Sequence, residues 1–353
     1  MHIQRMQRLS FLWALALVGA GWAPAQAHAA QNTGEVELSR EARAAIQLAQ
    51  QWLAGQQRAD GSFAGSHGTG AGVVGAGVLA WLVTGNMPGE GPYGKHVAKG
   101  IDYILSQSQP SGLLGKGADG GMYQHGLATI CLAEAWGQTQ DKRIYDKLKK
   151  AIDLIVRTQN DKGGWRYEPR VSDADLSVTV FELLALRAAK DAGIAVPKET
   201  IERAINYVMS CKSPKDSEGL SGFGYRPGSE KRFAMTAAGV MSLMLCGHYK
   251  ASQIKDGLDF LVKAREKKED AGNHFVYGHY YAAQAMYQAG GQGDRFKEYW
   301  MKWFPDISKT IIGKQEKTGP NRGMLSREYG VWGHSMCVLT LAIPYRYLPI
   351  YQR

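Results

Sequence analysis

The segment Leu154-Ile-Val-Arg-Thr-Gln159-Asn-Asp-Lys-Gly163-Gly-Trp165 decides how the chain is read. It consists of an apolar pair, three residues, a glutamine and a Gly-x-aromatic turn. The same phrase stands at Trp52-Leu53 with Gln57 and Gly61-Ser-Phe63. Weaker copies stand at Ile104-Leu105 with Gln109, Tyr207-Val208 with Lys212, Phe260-Leu261 with Arg265, and Ile311 with Gln315. The marker positions 57, 109, 159, 212, 265 and 315 are 52, 50, 53, 53 and 50 residues apart. A fixed period of this length is the signature of one repeat architecture, here of six units covering residues 36 to 343.

Each unit divides into two helical stretches of different character. The first is amphipathic: Ile144, Leu148, Ala151, Ile152 and Ile155 form an apolar stripe at helical spacing, with charges on the opposite face. The second is nearly uncharged all round, as in Gly72 to Gly85, Met122 to Gly137, Phe233 to Gly247, Tyr277 to Gly290 and Val331 to Ile343. A helix apolar on every side must be covered on every side. An outer ring of amphipathic helices around an inner ring of buried ones satisfies both kinds, which predicts an all-α, double-layered α/α toroid of six helical hairpins. The alternation makes the inner helices parallel, so their N-termini gather at one mouth and favour negative charge there. The run Gly70-Ala-Gly72-Val-Val-Gly75 matches a dinucleotide fingerprint, but no strand precedes it and no acid follows about 20 residues on. Its glycines are expected to let the first inner helix pack closely, and no cofactor is expected.

Residues 1–29 have the form of a secretory signal peptide: basic Arg5 and Arg8, the apolar stretch Leu9 to Pro24, and a small-x-small site ending at Ala29. The expected organisation is therefore a leader, 1–29, and a single toroid domain, 30–353, in a secreted or periplasmic monomer. No later apolar run reaches the length of a membrane span, so the mature protein is not expected to cross a membrane. The net charge of +10 falls to +8 once the leader's two arginines are removed. These charges are scattered rather than clustered, which argues against a nucleic-acid partner. Cys131, Cys211, Cys246 and Cys337 stand far apart with no Cys-x-x-Cys. They read as small buried apolar side chains, with one or two disulfides allowed by the compartment.

The aromatic-x3-Gln-x-Gly-x-Trp phrases resemble the prenyltransferase and squalene oxidase repeats of squalene-hopene cyclases and protein prenyltransferase β subunits. Met122-Tyr-Gln-His125-Gly, Gly163-Gly-Trp165-Arg-Tyr167-Glu-Pro169, Tyr277-Gly-His279-Tyr-Tyr281 and the ending Tyr345-Arg-Tyr-Leu-Pro349-Ile-Tyr-Gln-Arg353 resemble a secreted single-toroid subgroup of planctomycete type. The resemblance implies a terpenoid cyclase/protein prenyltransferase-like toroid with an apolar cavity. In cyclases of the family an Asp-x-Asp-Asp-Thr-Ala motif protonates the substrate. The matching place here reads Asp173-Ala-Asp175-Leu-Ser-Val, so the resemblance makes Asp175 the candidate acid and Asp173 its partner. Leu176 departs from the motif, and both aspartates are also placed to cap the helix that follows. Protein prenyltransferases bind zinc through Asp, Cys and His. Although His125, His279 and His334 sit near inner-helix starts, no Asp-x-Cys pair accompanies them, and no metal is expected.

The candidate ligand-binding residues are Tyr123, His125, Tyr167, Tyr225, His279, Tyr280, Tyr281 and His334. The expected ligand is isoprenoid or triterpene-like, held in the cavity with or without cyclase- or prenyltransferase-like chemistry. Two alternatives stay open. One is a non-catalytic toroid that captures a protein or cell-envelope component. The other is an acidic polysaccharide lyase, for which Arg166, Arg226 and Arg232 could neutralise a uronate.

Overall fold

The computed structural model describes residues 36–65, 67–115, 121–270, 272 and 274–352; the proposed leader lies outside the described residues. Val36–Arg353 form one compact unit. Twelve α-helices occur among the described residues: α1 (Arg40–Gln56), α2 (Ala71–Leu82), α3 (Gly94–Ser106), α4 (Met122–Thr139), α5 (Lys142–Thr158), α6 (Leu176–Asp191), α7 (Lys198–Ser210), α8 (Phe233–Leu245), α9 (Ser252–Glu266), α10 (Phe275–Gly290), α11 (Asp294–Gly313) and α12 (Val331–Ala342). None is long and apolar enough to cross a membrane.

Odd-numbered helices form the outer layer and even-numbered helices the inner one. In α5 only the stripe Ile144, Leu148, Ala151, Ile152, Leu154, Ile155 and Thr158 is buried. In α2 every residue is buried. Each large aliphatic side chain withdrawn from water in these stripes contributes about 1.5–3 kcal/mol. The inner helices pack in the order α2, α4, α6, α8, α10, α12, and α12 returns onto α2 to close the ring. The double-layered toroid expected from the repeat is the fold.

Close packing explains the glycine run in α2. A Cβ on Gly72 would stand 2.8 Å from the Gln124 carbonyl oxygen, and one on Gly75 would stand 3.2 Å from that of Leu127. Both glycines therefore serve the contact with α4. The Gln124 side chain reaches across to accept the Gly72 and Val73 amides at 2.8 and 3.2 Å, satisfying two of the donors that a helix start leaves open.

The repeat phrase builds a two-sided latch. On the outer side Gln159 Nε2 donates to the Gly163 carbonyl of its own turn and to the Thr200 carbonyl of the next outer helix, both at 2.9 Å. Gln57 does the same with Gly61 and His96, and Gln315 with Gly323 and Ala45. On the inner side, a residue in the first turn of the inner helix accepts the turn's amide. Thr179 takes Trp165 at 3.1 Å and Thr236 takes Phe223 at 3.0 Å. His125 Nδ1 takes Leu114 at 3.0 Å, and His334 Nδ1 takes Leu325 at 3.1 Å.

At the end of the ring where the inner helices finish, the C-terminal segment folds across the opening. The Ile350 amide donates to Glu134 Oε1 at 3.2 Å, and Gln288 Nε2 donates to the Gln352 carbonyl at 3.3 Å. Glu134 is buried, and burial raises its carboxyl to about 8. All four cysteines are free thiols; Cys131, Cys211 and Cys337 are buried and Cys246 is half-buried.

Candidate functional site

The opposite end, where the six inner helices begin, holds a cavity of about 570 Å³. Its wall draws on the first turn of every inner helix: Val73, Tyr123, Ser177, Phe233, Tyr277 and Trp332 each come from a different one. Loop residues Tyr167, Tyr225, Asp270 and Tyr329 complete it. A smaller cavity of about 310 Å³ lies between α11 and α12, lined by Phe275, Lys314 and Cys337. Only the larger one sits where the helix starts converge.

Aromatic rings interlock across the larger cavity. Tyr123 meets Phe181 edge-on at 4.8 Å, Tyr277 meets Tyr281 edge-on at 4.8 Å, and Tyr277 stacks with Trp332 at 6.2 Å. Such arrangements add to the area each ring buries and hold the surface rigid. Burial raises the Tyr123, Tyr277 and Tyr281 phenols well above their ordinary range, so they stay neutral. Tyr167 and Tyr225 pair through their hydroxyls at 2.7 Å. Each is faced by a guanidinium: Arg166 lies 5.0 Å from the Tyr167 ring and Arg226 lies 5.5 Å from the Tyr225 ring.

Behind that tyrosine pair lie the two aspartates. Asp175 is fully buried and caps α6: its Oδ1 accepts the Val178 amide at 3.0 Å and the Ser177 hydroxyl at 2.6 Å. Its Oδ2 lies 3.7 Å from Arg166 Nη1. Asp173 pairs with Arg166 at 3.3 Å and with Arg226 at 3.2 Å. Neither aspartate lines the cavity.

A second charged group is built around the loop after α9. Asp270 is buried and lines the cavity. Its Oδ2 accepts Arg265 Nη1 at 2.7 Å and lies 3.1 Å from His279 Nε2. Burial pushes the Asp270 carboxyl up, but His279 and Arg265 outweigh it and hold the group below the usual carboxylate range. Burial, outweighing the neighbouring carboxylate, lowers the His279 imidazole. The pair is therefore a carboxylate beside a neutral ring.

Of the residues singled out in the sequence, Tyr123, Tyr167 and Tyr225 come together on the cavity wall. Tyr281 lies beneath Tyr277, and Tyr280 is buried with its ring 5.1 Å from that of Tyr281. His279 stands behind Asp270. His125 and His334 do not reach the cavity. Both are fully buried, and their Nε2 atoms lie 3.2 Å from the Ala151 carbonyl and 3.1 Å from the Ala49 carbonyl. With Nδ1 accepting and Nε2 donating, neither ring has a nitrogen left for a ligand. Among the described residues, no three His, Cys, Asp or Glu side chains converge to hold a metal. Asp270 was missed in the sequence, although Arg265 standing in the glutamine column of the repeat marked the departure.

Residues 29–166, 122–217 and 174–291 match the profile of the prenyltransferase alpha-alpha toroid domain. Among curated proteins, none matches this chain in sequence. Among solved structures, an α-1,6-mannanase of glycoside hydrolase family 76 from Salegentibacter, in complex with α-1,6-mannotetrose, is similar in fold. Its TM-score is 0.60 at 9% identity, over 87% of this chain and 100% of the mannanase. A type II terpene cyclase from Scytonema, in complex with geranylgeranyl dihydroxybenzoate, has a TM-score of 0.55 at 12% identity, over 87% of this chain and 98% of the cyclase. An α-amylase from Clostridium perfringens has a TM-score of 0.56 at 11% identity, over 87% and 99% of the two chains.

Proposed function

The chain belongs to the prenyltransferase alpha-alpha toroid family, and we propose that it is a secreted or periplasmic member that binds an isoprenoid-like apolar ligand at the toroid mouth. The observation that carries this reading is the aromatic wall: Tyr123, Phe233, Tyr277 and Trp332, from four inner helices, face one cavity of about 570 Å³. That volume falls within the ~300–1,000 Å³ of small-molecule sites, and an interlocked aromatic surface suits an unsaturated chain, which offers area rather than hydrogen bonds. The terpene cyclase of the same fold, which holds a geranylgeranyl compound, lends support.

Binding without cyclisation fits the acids best. Alkene protonation needs a carboxylic acid exposed to substrate with its proton free to leave. Asp175 instead accepts an amide and a hydroxyl, faces a guanidinium and stands outside the cavity lining. Of the three arginines named for the lyase alternative, Arg166 and Arg226 are both paired with Asp173, and Arg232 alone lines the cavity.

The mannanase and amylase folds favour a second reading, hydrolysis of a neutral glycan. Hydrolysis requires two carboxyl groups flanking the scissile bond. The two carboxylates on the cavity wall, Glu269 and Asp270, are sequence neighbours, as are the two aspartates replaced in the inactive mannanase variant, and this is the observation that favours the second reading. Mass spectrometry of an organic extract of the purified protein, against a mock purification from the same polyprenol- and hopanoid-making host, separates the two. An enriched isoprenoid is expected. An extract identical to the control, together with release of reducing ends from an α-1,6-mannan, would overturn the reading in favour of the glycan.

A further inference from the structure

The fifth repeat departs from the others on both sides of its latch. Units one, three and six use a neutral glutamine to bridge two backbone carbonyls. Unit five places Arg265 there. Its Nη1 donates to Asp270 Oδ2, its Nε to Asp306 Oδ2 and its Nη2 to Thr310 Oγ1, each at 2.7 Å. On the inner side, where units two, three, four and six use His or Thr to accept a turn amide, His279 Nε2 lies 3.1 Å from the same Asp270 oxygen.

Closing a repeat does not call for this exchange, since units one, three and six close with an uncharged glutamine. Burying ions costs more than burying an amide, even when they are paired. The charged latch therefore does something besides joining helices, and its geometry shows what. It delivers a carboxylate, 3% exposed, to the wall of the main cavity. Oδ2 accepts Arg265 Nη1, while Oδ1 is buried and has no hydrogen-bond partner among the described residues. A buried acceptor left open at a cavity wall is costly until a donor fills it.

We propose that Asp270 Oδ1 is the polar anchor of the cavity and accepts a hydrogen bond from the hydroxyl head of a long-chain isoprenoid alcohol whose hydrocarbon lies on the aromatic wall. This rests on the isoprenoid reading above and deepens it. A carboxylate only accepts, so the head must donate. Arg265 already supplies the compensating positive charge, so the donor need not be a cation. Glu269 beside it disfavours an anionic head such as a diphosphate at this point of the wall, while Arg232 and the gathered helix starts elsewhere on the wall pull the other way.

The test is titration of the full-length mature protein with geranylgeraniol, its methyl ether, geranylgeranyl diphosphate and squalene, read by tryptophan fluorescence and calorimetry. The alcohol and its ether share shape and acceptor but differ in the one donor. The alcohol is expected to bind about tenfold more tightly than the ether, the size of one hydrogen bond to a charged group. In Asp270→Asn, whose amide can donate where the carboxylate could only accept, that preference is expected to collapse. Equal affinity of the wild type for alcohol and ether, or tightest binding of the diphosphate, would overturn the anchor while leaving the isoprenoid reading standing. No binding of any of the four would overturn that reading itself. Because the comparison of alcohol with ether is made on the wild type, the proposal remains testable even where the variant fails to fold.

Discussion

Asp175 and Arg166 face each other across 3.7 Å at the start of α6, with the carboxylate's other oxygen committed to the Val178 amide. The pairing makes Asp175 a structural residue that positions Tyr225, whose carbonyl accepts the Leu176 amide at 2.9 Å. Asp175→Ala removes the cap and should cost about 1–2 kcal/mol in urea unfolding. Asp175→Asn, which keeps a capping oxygen, should recover most of that. Equal losses in both variants would show that charge, not capping, is what the site needs.

Acid should act on the molecule through His125 and His334. Burial lowers them to about 4 and about 3, against about 6.5 in the unfolded chain. Their folded-state pKa values lie below the unfolded one, so stability is complete above pH 6.5 and is lost as pH falls and the unfolded state takes up protons. The full losses are on the order of 3 and 5 kcal/mol. Thr179 and Thr236 show that threonine can do the inner-side job. His125→Thr and His334→Thr should therefore be less stable at pH 7 by roughly 1–3 kcal/mol through lost packing. Their melting temperature should also fall less between pH 6.5 and 4 than that of the wild type.

Glu134 imposes the opposite slope. Its carboxyl is raised to about 8 by burial, so the folded state holds a proton that the unfolded state gives up above about 4.5. The penalty is absent below that pH and grows to its full value, on the order of 4–5 kcal/mol, as pH approaches 8. Glu134→Gln keeps an acceptor for the Ile350 amide. It should raise the melting temperature at pH 8 and change it little at pH 4.5.

The α2 glycines give a separate check. Gly72→Ala puts a methyl 2.8 Å from the Gln124 carbonyl and should cost about 1–3 kcal/mol through overpacking. Calorimetric titration of the wild type with NAD should show no heat of binding, as expected of a packing motif.

The toroid was legible because its cause is periodic: a stripe on every outer helix, no stripe on any inner one, and a latch every fifty residues or so. The site was less legible because an inner helix that is apolar all round gives no sign of which face looks inward. Tyr123 and His125 are two positions apart, yet each residue turns the helix by about 100°. One therefore lines the cavity while the other bonds to the outer layer. Proximity to a helix start could not separate them. Asp270 was obscured for another reason. Its unit lacks the Gly-x-aromatic turn, and the meaning of Arg265 emerges only when nearby Asp270 is seen together with Asp306 and Thr310 of the next outer helix.

Closure of the ring through α12 and α2 also governs how the chain can assemble. Every residue of α2 is buried, and one of its flanks is covered by a helix that begins at Val331. Until that helix is made, the nascent array is an open arc with an apolar edge, the kind of surface that chaperones recognise and that aggregates when left bare. The contact that ends this exposure joins α2 to α12 across most of the chain's length, so ring closure has to wait for the last helix, and loop closure over that distance carries an entropic cost that the local hairpins do not.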